Sequence, residues 1–158
     1  MTTIVVDPGE ALLRALSAVG EVVVVDDSAD DAVWDTLVAL QAAHRSQTGR
    51  IVLVLPTVGI AGSAGSVDYT TAIEGIRAMA KSAARQWGSD GVGVNMVVAP
   101  ANLFARDADT AHLSAAAAPG NRELIHSVVE TAKFLLRDDL RHLTGETVIV
   151  DGGSVMLP

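Results

Sequence analysis

No cysteine occurs in the sequence, so disulfides and thiolate metal sites are excluded. Aromatic residues are also scarce, at 3% against 49% hydrophobic. A core must therefore rest on Val, Ile, Leu and Ala. The β-branched members of that set favour strands and Ala and Leu favour helices, so a mixed α/β domain is expected. Basic residues are few: 11 Lys and Arg face 19 Asp and Glu, for a formal net charge of −8. Nucleic acids and anionic membranes are bound by clustered Lys and Arg, so neither is an expected partner. No segment approaches the roughly 20 apolar residues of a membrane span. The start, Met1-Thr2-Thr3-Ile4-Val5-Val6-Asp7, has no basic region and no long apolar run, and a soluble, cytoplasmic protein is the expectation. A chain of 158 residues suits one domain, over residues 1–158.

What is present is a series of short, regularly spaced apolar runs. Residues 4–6 read as a strand, followed by Asp7-Pro8-Gly9-Glu10 with Asp7 as N-cap and Pro8 at the first helical position. A helix through Leu12, Leu13 and Leu16 would end at Gly20. Four valines at 22–25 predict a strand covered on both faces. A second helix starts near Asp30 or Asp31 and carries Trp34, Leu37, Val38 and Leu40. Residues 51–55 form a third strand that Pro56 stops. The glycine-rich stretch Gly59-Ile60-Ala61-Gly62-Ser63-Ala64-Gly65 reads as a loop, and a long helix spans 68–87. A fourth strand covers 92–98, closed by Pro100, and residues 101–120 are loop-like. A last helix covers 122–136, and a last strand, 146–150, precedes Asp151-Gly152-Gly153. Alternating strands and helices predict a small doubly wound, Rossmann-like parallel sheet of about five strands with helices on both faces.

Several motifs compete for a chemical role. A dinucleotide site needs a glycine-rich turn after the first strand. Here the turn has one glycine, Gly9, between Asp7 and Glu10, whose charge would repel a pyrophosphate. The 59–65 loop contains no Lys or Arg, so as a phosphate cradle it has backbone alone. Asp26, Asp27, Asp30 and Asp31 lie at a strand's carboxyl end, where hard cations could find oxygen ligands, although helix capping and a solvated loop are the commoner use. His44, His112, His126 and His142 are not paired at helical spacing, so no helical metal site is expected. Ser63 and Ser66 lack the Gly-x-Ser-x-Gly spacing of a nucleophile elbow.

From residue 49 onward the sequence resembles the second half of a short-chain dehydrogenase/reductase. Gly49-Arg50-Ile51-Val52 is similar to the entry into that family's fifth strand, and Tyr69-Thr70-Thr71-Ala72 resembles the start of its Tyr-x-x-x-Lys helix, with Gly75 and Ala80 where the family favours small residues. Val94-Asn95-Met96-Val97-Val98-Ala99-Pro100 resembles its Val-Asn-x-Val-x-Pro-Gly strand. Leu143-Thr144-Gly145 with Val150-Asp151-Gly152-Gly153 is similar to its closing signature. Residues 21–31 resemble a fourth strand with its Asn-Asn-Ala-Gly motif, now Asp26-Asp27-Ser28-Ala29, and 34–44 a shortened fourth helix. The resemblance then implies that the family's second and third strands, which hold the adenosine half of the cofactor, are missing.

Carried over residue by residue, the resemblance implies that the catalytic set is almost empty. Tyr69 stands at the proton donor's position. Ile73 replaces the Lys that tunes it, Pro56 replaces the Ser (Thr57 is the nearest hydroxyl), the Asn of the fourth helix has no counterpart, and Ala101 replaces a Gly. An apolar neighbour cannot stabilise a tyrosinate, so Tyr69 should keep its reference pKa of about 10 or rise with burial. No catalytic, cofactor-binding or metal-binding residue is therefore expected, with Tyr69 the single retained candidate.

The leading expectation is a non-catalytic subunit, not an enzyme by itself, that assembles with an active, full-length member of the family and supports its NAD(P)-dependent oxidoreduction, as degenerate subunits acting on acyl-thioesters do. A homodimer, a residual oxidoreductase using Tyr69, and a small-ligand module built on the 59–65 loop are the alternatives. The 68–87 helix offers Ala72, Gly75, Ala78, Ala80, Ala83 and Ala84 for close approach of a partner helix, and about half of these are expected to pack inward. Together with 34–44 it would form one apolar face. On that reading a bulky charge at Ala80 or Ala84 weakens assembly more than one at Ala115. The first strand, lacking its usual neighbours, is expected at an unpaired edge.

Overall fold

Strands β1 (Thr2–Val6), β3 (Arg50–Pro56) and β4 (Gly93–Ala99) are buried along their whole length. Runs such as Ile51-Val52-Leu53-Val54-Leu55 have no polar face to offer water, so they persist only with both faces covered. The computed structural model describes residues 1–26, 31–113 and 120–156. With β2 (Glu21–Val25) and β5 (Thr147–Ile149), these strands form one parallel sheet in the order β2-β1-β3-β4-β5, a common doubly wound arrangement. Ile4, Val6, Ile51, Leu53 and Met96 point towards α2 (Ala32–Arg45) and α4 (Val67–Trp87). Val5, Val52, Val54 and Val97 point the other way, towards α1 (Glu10–Ser17) and α5 (Asn121–Leu135). The two-residue period of the strands thus feeds two helical layers.

Four local expectations are corrected. The first strand is not an edge: β1 pairs with β2 on one side and β3 on the other. Position 22–25 is the edge instead, and it is not covered on both faces, since Val24 is 47% exposed. The strand beside β3 is Thr2–Val6. Asp7 is not the N-cap of α1. It takes a left-handed φ of 44°, and Gly9 caps the helix without a side-chain bond. The first part of the 59–65 stretch is a short helix, α3 (Val58–Ala61), and only then does the chain turn at Gly62 and Gly65, both with positive φ.

The closing signature has a structural explanation. Asn95 is buried in β4. Its Nδ2 donates to the Leu143 carbonyl at 2.9 Å, and its Oδ1 accepts from the Glu146 amide at 3.1 Å. The buried guanidinium of Arg50 donates to the same carbonyl at 3.3 Å. Thr144 Oγ1 accepts from the Val94 amide, and the Gly145 amide donates to the Val94 carbonyl at 2.7 Å. After β5, the Asp151 carboxylate accepts from the Gly153 and Val155 amides and from Ser154 Oγ, folding the chain back through Gly152 and Gly153 with positive φ. These bonds set the register of β5 on β4.

Removing the Asn95 amide would take the acceptor from the Glu146 amide and leave the Leu143 carbonyl with Arg50 alone, two lost hydrogen bonds that together cost about 2 kcal/mol. Asn95→Ala should therefore lower the melting temperature by roughly 5 °C in a chain of this size, as read by thermal unfolding. An unchanged melt would show that the clamp is dispensable.

Candidate functional site

Ligands of doubly wound sheets bind beyond the carboxyl ends of the strands, where neighbouring connections leave in opposite directions. Here that point lies between β1 and β3. The chain itself crosses it. The Gly9 amide donates to the Leu103 carbonyl at 2.9 Å, the Ala105 amide donates to the Asp7 carbonyl at 2.8 Å, and Pro8 and Phe104 form an antiparallel bridge. Gly9 is required there, because a Cβ would stand 2.8 Å from the Leu103 oxygen. The turn that would receive a pyrophosphate is thus bonded to a strap, residues 103–105, and carries Asp7 and Glu10 but no basic side chain.

Tyr69 and Ile73 share one face of α4 and are both buried, at 2% and 1% exposure. Ile73 fills the space above Gly59, where a Cβ would lie 2.5 Å from the Ile73 methyl. The Arg106 guanidinium lies over the Tyr69 ring, 4.4 Å from its centre, and reaches Asp68 at 3.4 Å. The Tyr69 backbone N–H, with help from Arg106, holds the exposed Asp68 carboxyl below the usual carboxylate range. Whatever this adds to stability is present above the ordinary carboxylate pKa and fades as pH falls through the lowered value. The sequence reading missed Arg106, since no motif marks it.

Thr57 follows β3 and is buried against a cleft of about 200 Å³ that also meets Asn102, Thr110, Asn121 and Ser154. Asn102 Nδ2 donates to Asn121 Oδ1 at 3.0 Å. Tyr69 is not among the residues that line this cleft. Pro56 ends β3 opposite Ala99, and Ala101 opens a 3-10 turn after Pro100.

The remaining candidates are scattered. Ser63 Oγ donates to the Asp109 carbonyl, and Ser66 precedes α4 without a capping bond. Asp26 and Asp31 flank residues 27–30, and those four lie outside the described residues, as does Ala115. His44 stacks on Trp87 at 4.4 Å and meets Asp90 at 3.3 Å, whereas His112, His126 and His142 are exposed and lie on separate elements. Among the described residues, no cluster of three or more His, Asp or Glu could hold a metal ion. No helix among them is long and apolar enough to cross a membrane.

The family model described as enoyl-(acyl carrier protein) reductase matches residues 31–155. Among curated relatives, the 3-oxoacyl-acyl-carrier-protein reductase FabG of Salmonella typhimurium is 32% identical over 124 residues, and that of Vibrio harveyi is 34% identical over 128. Each match covers 75% of this chain and 50% of the relative, so the chain spans about half the length of the curated relatives it matches. The solved structure of the promiscuous reductase LugOII, which catalyses keto-reduction at C1 during lugdunomycin biosynthesis, shares the fold. Its TM-score is 0.60 at 18% identity, over 75% of this chain and 50% of that one.

The strap and the acidic turn generate a direct expectation. Calorimetric titration of the isolated chain with NAD(H) or NADP(H) should give no saturable heat, because binding would have to break the Gly9–Leu103 and Asp7–Ala105 bonds and bring phosphates against Asp7 and Glu10. Micromolar binding would show that the strap opens.

Proposed function

The chain belongs to the short-chain dehydrogenase/reductase family, and from that premise we propose that it is a non-catalytic subunit of a larger reductase. The observation that carries this reading is the 103–105 strap, which bonds to the β1 turn where a cofactor would need backbone amides. Burial of Ile73 in the position of the family's Lys supports it further. The partner in this reading is an active, full-length member of the same family using NAD(P). The FabG relatives are named as 3-oxoacyl-acyl-carrier-protein reductases, which supports an acyl-thioester as the substrate class of the assembled enzyme in this reading. The subunit would be cytoplasmic and would stabilise its partner or shape the partner's pocket.

Assembly would use the outer face of α2 and α4. Trp34, 62% exposed, and Val38 stand out from α2. Thr71, Gly75, Ala78 and Ser82 are the exposed, small positions of α4. Ala80, Ala83 and Ala84, by contrast, pack inward on the sheet. A charge at Ala80 or Ala84 would be buried without a partner and cost roughly several kcal/mol of folding stability, so those positions do not report on assembly. A second reading, a small-ligand module, is favoured by the cleft beside Thr57 in place of the 59–65 stretch.

Two measurements test the leading reading. Ala78→Arg and Trp34→Glu should reduce co-purification of a family partner from the native host while leaving the chain folded. A soluble chain with no such partner in the host would remove the proposal's support. In the assembled enzyme, Tyr69→Phe should leave kcat within about threefold, whereas loss of a general acid–base group costs roughly a hundredfold or more. A loss of that size would make Tyr69 catalytic.

A further inference from the structure

Strand β2 lies at the outside of the sheet, and among the described residues its strand partner is β1 alone. Natural edge strands are blunted by Lys, Pro, bulges or very short length. β2 has none of these: Glu21-Val22-Val23-Val24-Val25 runs in unbroken register with β1. Val24 is exposed, and Val22 and Val23 are half-buried. An edge of this kind is a template for one more strand.

The geometry points to a second copy of this chain as that strand's source, paired antiparallel through β2 about a two-fold axis at Val23. Two five-stranded sheets then join into one continuous sheet. In this register Val23 faces Val23 on the side of the sheet backed by α2, and Val24 faces Val22 on the side backed by α1 and α5. Directly opposed residues of an antiparallel pair share a face, so the exposed Val24 side chain is covered by a like one. The charges fall apart in the same register. Glu21 comes beside Val25, and Asp26 comes beside Gly20, whose surroundings are open. A parallel pairing would set Glu21 on Glu21 and Asp26 on Asp26, which is repulsive, and would not close as a symmetric pair. For a chain of net charge −8, the antiparallel register brings the valines together while separating the carboxylates. The pairing leaves the outer face of α2 and α4 uncovered and does not depend on the reading of that face above.

The experiment uses the whole chain, and its lack of cysteine makes single introduced thiols clean reporters. Sedimentation equilibrium at micromolar concentration should give a two-chain mass for the unaltered protein. Val24→Lys, at a position already exposed, should weaken self-association at least tenfold while circular dichroism still shows a cooperative melt. Val23→Cys should cross-link under mild oxidation, whereas Thr71→Cys on α4 should not. A monomeric unaltered chain, a Val24→Lys chain that still dimerises, or cross-linking through Thr71→Cys without Val23→Cys would each overturn the pairing.

Discussion

The backbone groups at the carboxyl end of β1 must find partners, and the chain supplies them from residues 103–105. The bonds from Gly9 to Leu103 and from Ala105 to Asp7 fix the turn after β1, the path of the segment after β4 and the position of Arg106. Arg106 then lies across Tyr69 and reaches back to Asp68 at the start of α4. A sheet whose strands are buried on both faces leaves its open end as the place where a ligand can enter. When that end is bonded to its own chain, a ligand competes with backbone hydrogen bonds, and an unmade bond costs more than a made one returns.

The family's marks divide into two physical kinds. Asn95, Thr144, Gly145 and Asp151 hold backbone groups, and each has its bonds here. β5 has only three residues, and these bonds add to the three residue pairs that set its register on β4. The positions that the sequence resemblance would give to holding or tuning a reacting group carry Ile73, Pro56 and Ala101, which pack or turn the chain. A side chain that works for the fold is costly to lose whatever the protein does. Ile73 against Gly59 is a packing contact of that structural kind.

Much of the architecture was legible in the sequence. β3 and β4 are unbroken apolar runs, and the long helix has a clear inward stripe at Ile73, Ile76, Ala80 and Trp87. Read at a 3.6-residue period, that stripe also marks Ala83 and Ala84 as inward; composition alone had left them open. Strand order was not legible, because residues 4–6 and 22–25 carry the same kind of short apolar signal and nothing local says which lies beside β3. The strap was hidden for a different reason. Leu103-Phe104-Ala105 sits in an Ala- and Asp-rich stretch without periodicity, and its importance comes from two backbone bonds that no side chain announces. Asp7 misled for the same cause: it looks like an N-cap, but the strap holds its backbone in the left-handed region.

The matched stretch of the family begins at residue 31, so β1, α1 and β2 lie ahead of it. Yet β3, which falls inside the match, is buried from end to end and needs a neighbour on each side. β1 fills one side through four residue pairs from Thr2–Ile51 to Val5–Val54, and α1 covers its outer face with Leu12 and Leu16. β2 then covers β1. The first 26 residues therefore act as a lateral cover for the family-like portion, made from one strand–helix–strand unit. Such a cover moves the edge outward without abolishing it, and each added strand needs its own helix to bury its faces. α2 reaches over β2 on one side, while on the other Val24 is left in water. The exposed valine edge is thus the physical consequence of closing the sheet with two strands.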